Sequence, residues 1–192
     1  MRLFDDETPR APRVGADWEL HRAHRQPHAG PPQDEVGILA MSSFVMAHSK
    51  DVAVAVRGIT AYSDGLLLHV VVLFADEQKR DDVAWSLQEY NRSPGRFRLG
   101  VELPNGRRAR TGTGDAPPLE SPESGAVLTL QSSAAGPLRW QGDYWLWPLP
   151  DTGIMVIGCR WPDRAIEESL VTVETEALRM AAASSHPAWE NR

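Results

Sequence analysis

The chain has 192 residues, 42% of them hydrophobic and 24% charged, with a formal net charge of -6. That length suits one domain around one core, and the balance of apolar and charged side chains excludes a chain disordered throughout. The negative charge argues against a nucleic-acid partner, because phosphate binding relies on clustered Lys and Arg. The longest apolar run, Leu66 to Ala75, is interrupted by His69 and falls short of the roughly 20 residues a bilayer-spanning helix needs.

Residues 1–35 carry Pro9, Pro12, Pro27, Pro31 and Pro32 with only scattered large apolar residues, so a flexible N-terminal arm is expected there. Within it Trp18-Glu19-Leu20 is a candidate anchor, and Trp18 and Leu20 are the residues expected to touch a protein partner or a second copy. The acidic start, Met1 to Glu7, has no apolar h-region, so no signal peptide is expected. The domain is expected over residues 36–183 and a C-terminal tail over 184–192.

From Val36 the pattern turns to β. Gly37 to Met46 is one apolar stretch, and Asp51 to Tyr62 is a long one in which Val52, Val54 and Val56 share a face opposite Ala53 and Ala55. A period of two belongs to a strand. Ser63-Asp64-Gly65 supplies a turn, and Leu66 to Phe74 returns as a near-continuous apolar strand, which makes a hairpin covered on at least one face.

Between Ala75 and Arg96 a charged run precedes Val83, Leu87 and Tyr90, whose i, i+4, i+7 spacing predicts a short amphipathic helix. Phe97 to Leu103 and a return strand near Arg108 flank Pro104-Asn105-Gly106, and Asn-Gly is a strong hairpin signal. Thr111 to Gly125, with Pro117, Pro118 and Pro122, reads as a loop. Val127 to Leu130 begins another strand. Leu138 to Pro150, an Asp151-Thr152-Gly153 turn and Ile154 to Trp161 form the densest aromatic part of the chain; Pro148 and Pro150 lack amide donors and should end their strand or set it at an edge. Ser169 to Val173 reads as a last strand, although Ile166, Leu170, Val173 and Ala177 also fit helical spacing, and Glu176 to Ala183 is the best helix by propensity.

About seven or eight strands at short spacing, with hairpin turns and no βαβ alternation, point to a mainly β fold. The expectation is an antiparallel two-sheet β-sandwich with one short inserted helix and a C-terminal helix. The run from Val52 to Phe74, then Arg98 to Arg108, then Gly142-Asp143-Tyr144-Trp145-Leu146-Trp147-Pro148-Leu149-Pro150 and Trp161-Pro162, resembles an uncharacterised family of small all-β proteins from actinobacteria. The resemblance covers residues 37–183, implies the domain boundaries and implies no activity.

Candidate sites are sparse. His21, His24 and His28 are spaced for shared ligation, but four-coordinate zinc needs a further ligand and no Cys or HExxH context accompanies them; no metal or cofactor is expected. Gly112-Thr113-Gly114 lacks the Gly-Lys-Ser/Thr ending of a phosphate loop. Arg107, Arg108 and Arg110 follow a turn and read as a solvated rim. Cys159 is the single cysteine; it excludes an intrachain disulfide, fits a reducing, cytoplasmic compartment, and reads as a buried small hydrophobe. His48, Asp51, His69 and the serines are the residue types of a base, an orienting acid and a nucleophile, yet no Gly-x-Ser-x-Gly elbow goes with them. His69, between Leu68 and Val70, reads as a hydrogen-bonded core or sheet-face histidine. Trp145 and Trp147 point to one side of their strand and Tyr144 and Leu146 to the other. Trp145, Trp147 and Trp161 are therefore either core or a stacking platform for a sugar or other small ligand.

The functional expectation is a non-enzymatic cytoplasmic interaction or assembly protein, acting through protein–protein contacts or self-association, with no nucleic acid and no membrane span. One alternative is a small-ligand or carbohydrate-binding module using exposed tryptophans. The other is a hydrolase of unknown substrate using His69 or His48 with a nearby carboxylate.

Overall fold

Alternating side chains, tight turns and well-placed prolines fold into strands that pair mostly with near neighbours. The computed structural model describes residues 25–76, 95–111 and 125–189. In it β4 (Val52–Tyr62) and β5 (Gly65–Phe74) form the expected hairpin, with Val52 opposite Phe74 and Tyr62 opposite Gly65. β9 (Arg139–Trp147), which ends immediately before Pro148, pairs with the other side of β5, and β8 (Val127–Gly136) pairs with β9. β2 (Ile38–Met41) and β3 (Phe44–His48) both pair with β4 and complete a six-stranded sheet. A four-stranded sheet runs β11 (Ile166–Glu174), β10 (Ile154–Trp161), β6 (Arg98–Glu102) and β7 (Arg108–Arg110). β1 (Glu35–Val36) and β12 (His186–Pro187) form a two-stranded third sheet. All these pairings are antiparallel, and α1 (Glu176–Ser184) packs on β2 and β4.

The chain is mainly β, and among the described residues a two-stranded third sheet stands beside the two larger ones. The extra sheet joins Glu35–Val36 to His186–Pro187, and the Ala188 N–H extends it by donating to the Asp34 carbonyl at 2.7 Å. Strands of two residues have no periodicity to read. The stretch from Gly37 to Met46 is likewise split, at Ser42-Ser43, into β2 and β3. β8 continues through Gln131 to Gly136, where no apolar alternation announces it, because its ladder with β9 holds it there. The helical alternative for Ile166 to Ala177 gives way to strand β11 followed by α1. Of the amphipathic helix expected between Ala75 and Arg96, residues 77–94 lie outside the described residues, as do residues 112–124 of the expected loop.

One core cluster draws on both larger sheets, with Val54, Leu68 and Leu146 from one and Leu99, Ile157 and Trp161 from the other. β4 does not keep a single parity in contributing to it. Val52, Val54 and Val56 are buried, but so are Ile59 and Ala61. Between them a register shift opposite Val70 and His69 leaves Arg57 exposed as an extra residue. Such a bulge turns the alternation over. Thr60 and Tyr62 consequently stand on the outer face of the six-stranded sheet.

Cys159, 2% exposed, points into this core, and burial pushes its thiol up to about 11. In native protein at mildly alkaline pH, iodoacetamide should modify it about a hundredfold more slowly than in the urea-unfolded chain, since the thiolate is the reacting form. Intact mass after timed quenching measures the difference.

Candidate functional site on the outer face of the six-stranded sheet

Side chains that alternate away from the core on β4, β5, β9 and β8 meet in a polar row. His69 on β5 lies directly opposite Asp143 on β9, and Asp143 lies opposite Ser132 on β8. His69 Nδ1 is 2.7 Å from Asp143 Oδ1, and Ser132 Oγ donates to Asp143 Oδ2 at 2.8 Å. On the other side His69 Nε2 is 2.8 Å from Thr60 Oγ1. A carboxylate accepts only, so Nδ1 carries the proton that bonds Asp143, and with a single proton on the ring Nε2 accepts from the Thr60 hydroxyl.

Local irregularities of three strands place these groups. The bulge at Arg57 moves Thr60 to the outer face. A second shift, between Leu130 and Ser132, turns Ser132 to the side of Asp143. A third, between Leu39 and Met41, lies beside Ile59 and Thr60. A Cβ on Gly58, the residue opposite His69, would fall 2.8 Å from Leu39 Cδ1, so the Leu39 side chain closes over this glycine. Bulges of this kind re-aim side chains and recur beside functional sites. The row is partly open, with side-chain exposures of 23% for His69 and 36% for Asp143.

Tyr62 stands two residues beyond Thr60, edge-on to Trp145 with ring centroids 5.7 Å apart. A Cβ on Gly37 would fall 2.6 Å from both Thr60 Cγ2 and Tyr62 Cζ, so both side chains close over the same glycine. Burial, reinforced by the negative charges of Glu35 and Asp143, raises the Tyr62 phenol above its ordinary range. It remains a proton donor.

The aromatic end of the face is covered by the segment from Arg25 to Gly30. Arg25 clamps Asp64 in two contacts of 2.7 and 3.1 Å and also donates to the Gly30 carbonyl at 2.8 Å. The Trp145 indole N–H donates to the Pro27 carbonyl at 2.9 Å, Gln131 donates to the Ala29 carbonyl at 3.0 Å, and buried His28 sits edge-on to Trp147 with centroids 6.0 Å apart.

The sequence candidates are distributed as follows. Trp145 and Trp161 have no exposed surface, and Trp161 lies in the core edge-on to Phe97 at 5.4 Å. Trp147 is half-buried beside His28. Trp18, Leu20, His21, His24 and Gly112 to Gly114 lie outside the described residues. His48 is opposite Ala53 at the far end of β3, away from His69. The carboxylate that meets His69 is Asp143, not Asp51. Sequence reasoning passed over Thr60, Ser132 and Asp143, because Asp143 is 74 positions from His69 and no local spacing connects them.

Among the described residues no group of three or more His, Cys, Asp or Glu side chains is arranged to hold a metal ion, and no helix is long and apolar enough to cross a membrane. No family model matches the chain, and comparison with curated proteins and with solved structures gives no match.

Arg25 and Asp64 are each about three-quarters buried. Asp64→Ala should lower stability by about 1 kcal/mol and open the covering segment to cleavage. Urea midpoints and limited proteolysis with mapping of cuts between residues 25 and 34 report the two effects.

Proposed function

We propose that this chain is an interaction and assembly protein that works through protein–protein contacts, and that it self-associates by pairing the open edge of β8 with β8 of a second copy. In this reading the two larger sheets are the layers of a β-sandwich, and most of their edges are occupied. α1 packs on β2, Ser169 of β11 donates to the Met46 carbonyl of β3 at 2.5 Å, and β7 lies beside β8. A single thiol with no disulfide suits a cytoplasmic setting.

The observation that carries the reading is the second half of β8. Among the described residues it has β9 as its one ladder partner, and Gln131 to Ala135 are exposed. The run Gln131-Ser132-Ser133-Ala134-Ala135-Gly136 has none of the charges or prolines that ordinarily blunt a sheet edge. Antiparallel self-pairing centred on Ser133 would set Ser133 opposite its own copy, Ser132 opposite Ala134 and Gln131 opposite Ala135, each pair sharing a face. No like charges oppose each other in that register, and the contact is self-complementary, as a two-fold dimer requires. A ligand site on exposed tryptophans draws no support from Trp145 and Trp161, whose rings are enclosed.

Light scattering after size exclusion should give a dimer mass for the full chain. Ala135→Lys should return a monomer with an unchanged circular dichroism spectrum, because a lysine on a sheet edge blunts strand pairing. A wild-type monomer at every concentration would count against the proposal.

A further inference from the structure

The polar row on the outer sheet face goes beyond assembly. We propose that Thr60 is an acyl-accepting nucleophile, with His69 as its general base and Asp143 as the group that orients His69, and that the substrate class is a carboxylic ester.

Short hydrogen bonds alone do not distinguish a catalytic row from one that ties strands together. What distinguishes this row is the order of its atoms. A hydroxyl sits on Nε2 at 2.8 Å, a carboxylate sits on Nδ1 at 2.7 Å, and the far carboxylate oxygen is held by Ser132 at 2.8 Å. That order gives the ring the tautomer in which Nε2 can take a proton from the hydroxyl, and it lets the carboxylate stabilise the imidazolium that forms. The groups come from four different strands, and β-bulges in three strands border them. Partial exposure leaves the row open to a substrate from solvent.

The chemistry balances without any group beyond substrate and water. Thr60 Oγ1 bonds to the ester carbonyl carbon as its proton passes to His69 Nε2. The bond from that carbon to the leaving oxygen breaks, and His69 returns the proton to the departing alkoxide. The products are a free alcohol and an acyl ester on Thr60. Water then adds to the acyl carbon, giving a proton to Nε2; the Thr60 ester bond breaks, Thr60 recovers the proton, and a carboxylic acid is released. Tyr62, whose ring closes over Gly37 beside Thr60, would supply the hydroxyl that meets the developing oxyanion. An ester suits the row better than an amide, because an alkoxide leaves more readily than an amine and asks less of that one donor.

The probe is p-nitrophenyl acetate with the full chain, followed by release of p-nitrophenol and by peptide mapping of acid-quenched protein. The expected result is acetyl on Thr60, with release slowed about a hundredfold or more in His69→Gln, in the range of general-base contributions. Thr60→Val should lose both release and adduct, and Thr60→Ser should retain both. Acetyl found only on lysines, histidines or the amino terminus, or release unaffected in folded Thr60→Val, would overturn the assignment. If Thr60→Val does not fold, the position of the acetyl group in wild-type protein decides by itself. Ala135→Lys separates this proposal from assembly: a monomer that still acetylates Thr60 leaves the nucleophile standing whatever becomes of the β8 dimer.

Discussion

The inward faces of β4, β5 and β9 have to be dry along their whole length, because a slip of one residue in any of them would carry a full set of apolar side chains into water. Val54, Val56, Leu68, Val72 and Leu146 are all at or near zero exposure, so the ladders through β5 have no freedom to shift. When such a sheet must present a particular side chain outward, it inserts a residue and resumes pairing beyond it. β4 does this at Arg57, and Thr60 owes its outward position to that insertion. The core and the polar row are thus two consequences of one register.

The outer face carries three environments in sequence. Its aromatic end is closed by the chain's own segment from Arg25 to Gly30, held by a charge pair and by side-chain bonds to backbone carbonyls. The polar row comes next, and both oxygens of Asp143 are engaged there. Beyond it Val45 and Leu73, at 62% and 48% exposure, stand among the small side chains of Ala53 and Ala55. Covering Trp145 and Trp147 takes from this face the large rings that would otherwise dominate it and leaves the hydroxyl, imidazole and carboxylate as its distinctive chemistry.

Sheet edges are managed with unequal care. β2 lies under a helix, and β3 receives a side-chain bond from β11, whereas β8 beyond Gln131 is left with small neutral side chains and β9 as its one ladder partner among the described residues. Ser132 belongs to both features of this surface, since it sits on that edge and holds Asp143. Pairing at that edge, as proposed, would fix the outermost member of the polar row and so link assembly to the candidate site through one hydroxyl.

Strand identity and strand facing were legible in the sequence because they are local properties. Period-two valines mark β4, Asn105-Gly106 marks the turn between β6 and β7, where Gly106 takes a φ of 81°, and Pro148 marks the end of β9. His69 could likewise be read as a hydrogen-bonded sheet-face residue. Its partners could not, because Thr60 reaches the outer face only through a bulge and Asp143 arrives from β9, far along the chain. A bulge leaves the composition and the periodicity on either side of it intact; it shows only once the neighbouring strand fixes the register. The second half of β8 and the β1–β12 pair are strands for the same reason: their backbone groups find partners, while their side chains carry no pattern of their own. The sequence by itself determined where the long apolar strands would run and, up to the next bulge, which side of each would be apolar. The tertiary structure decided which side chains meet across strands, because that depends on ladder register, a property of two segments together.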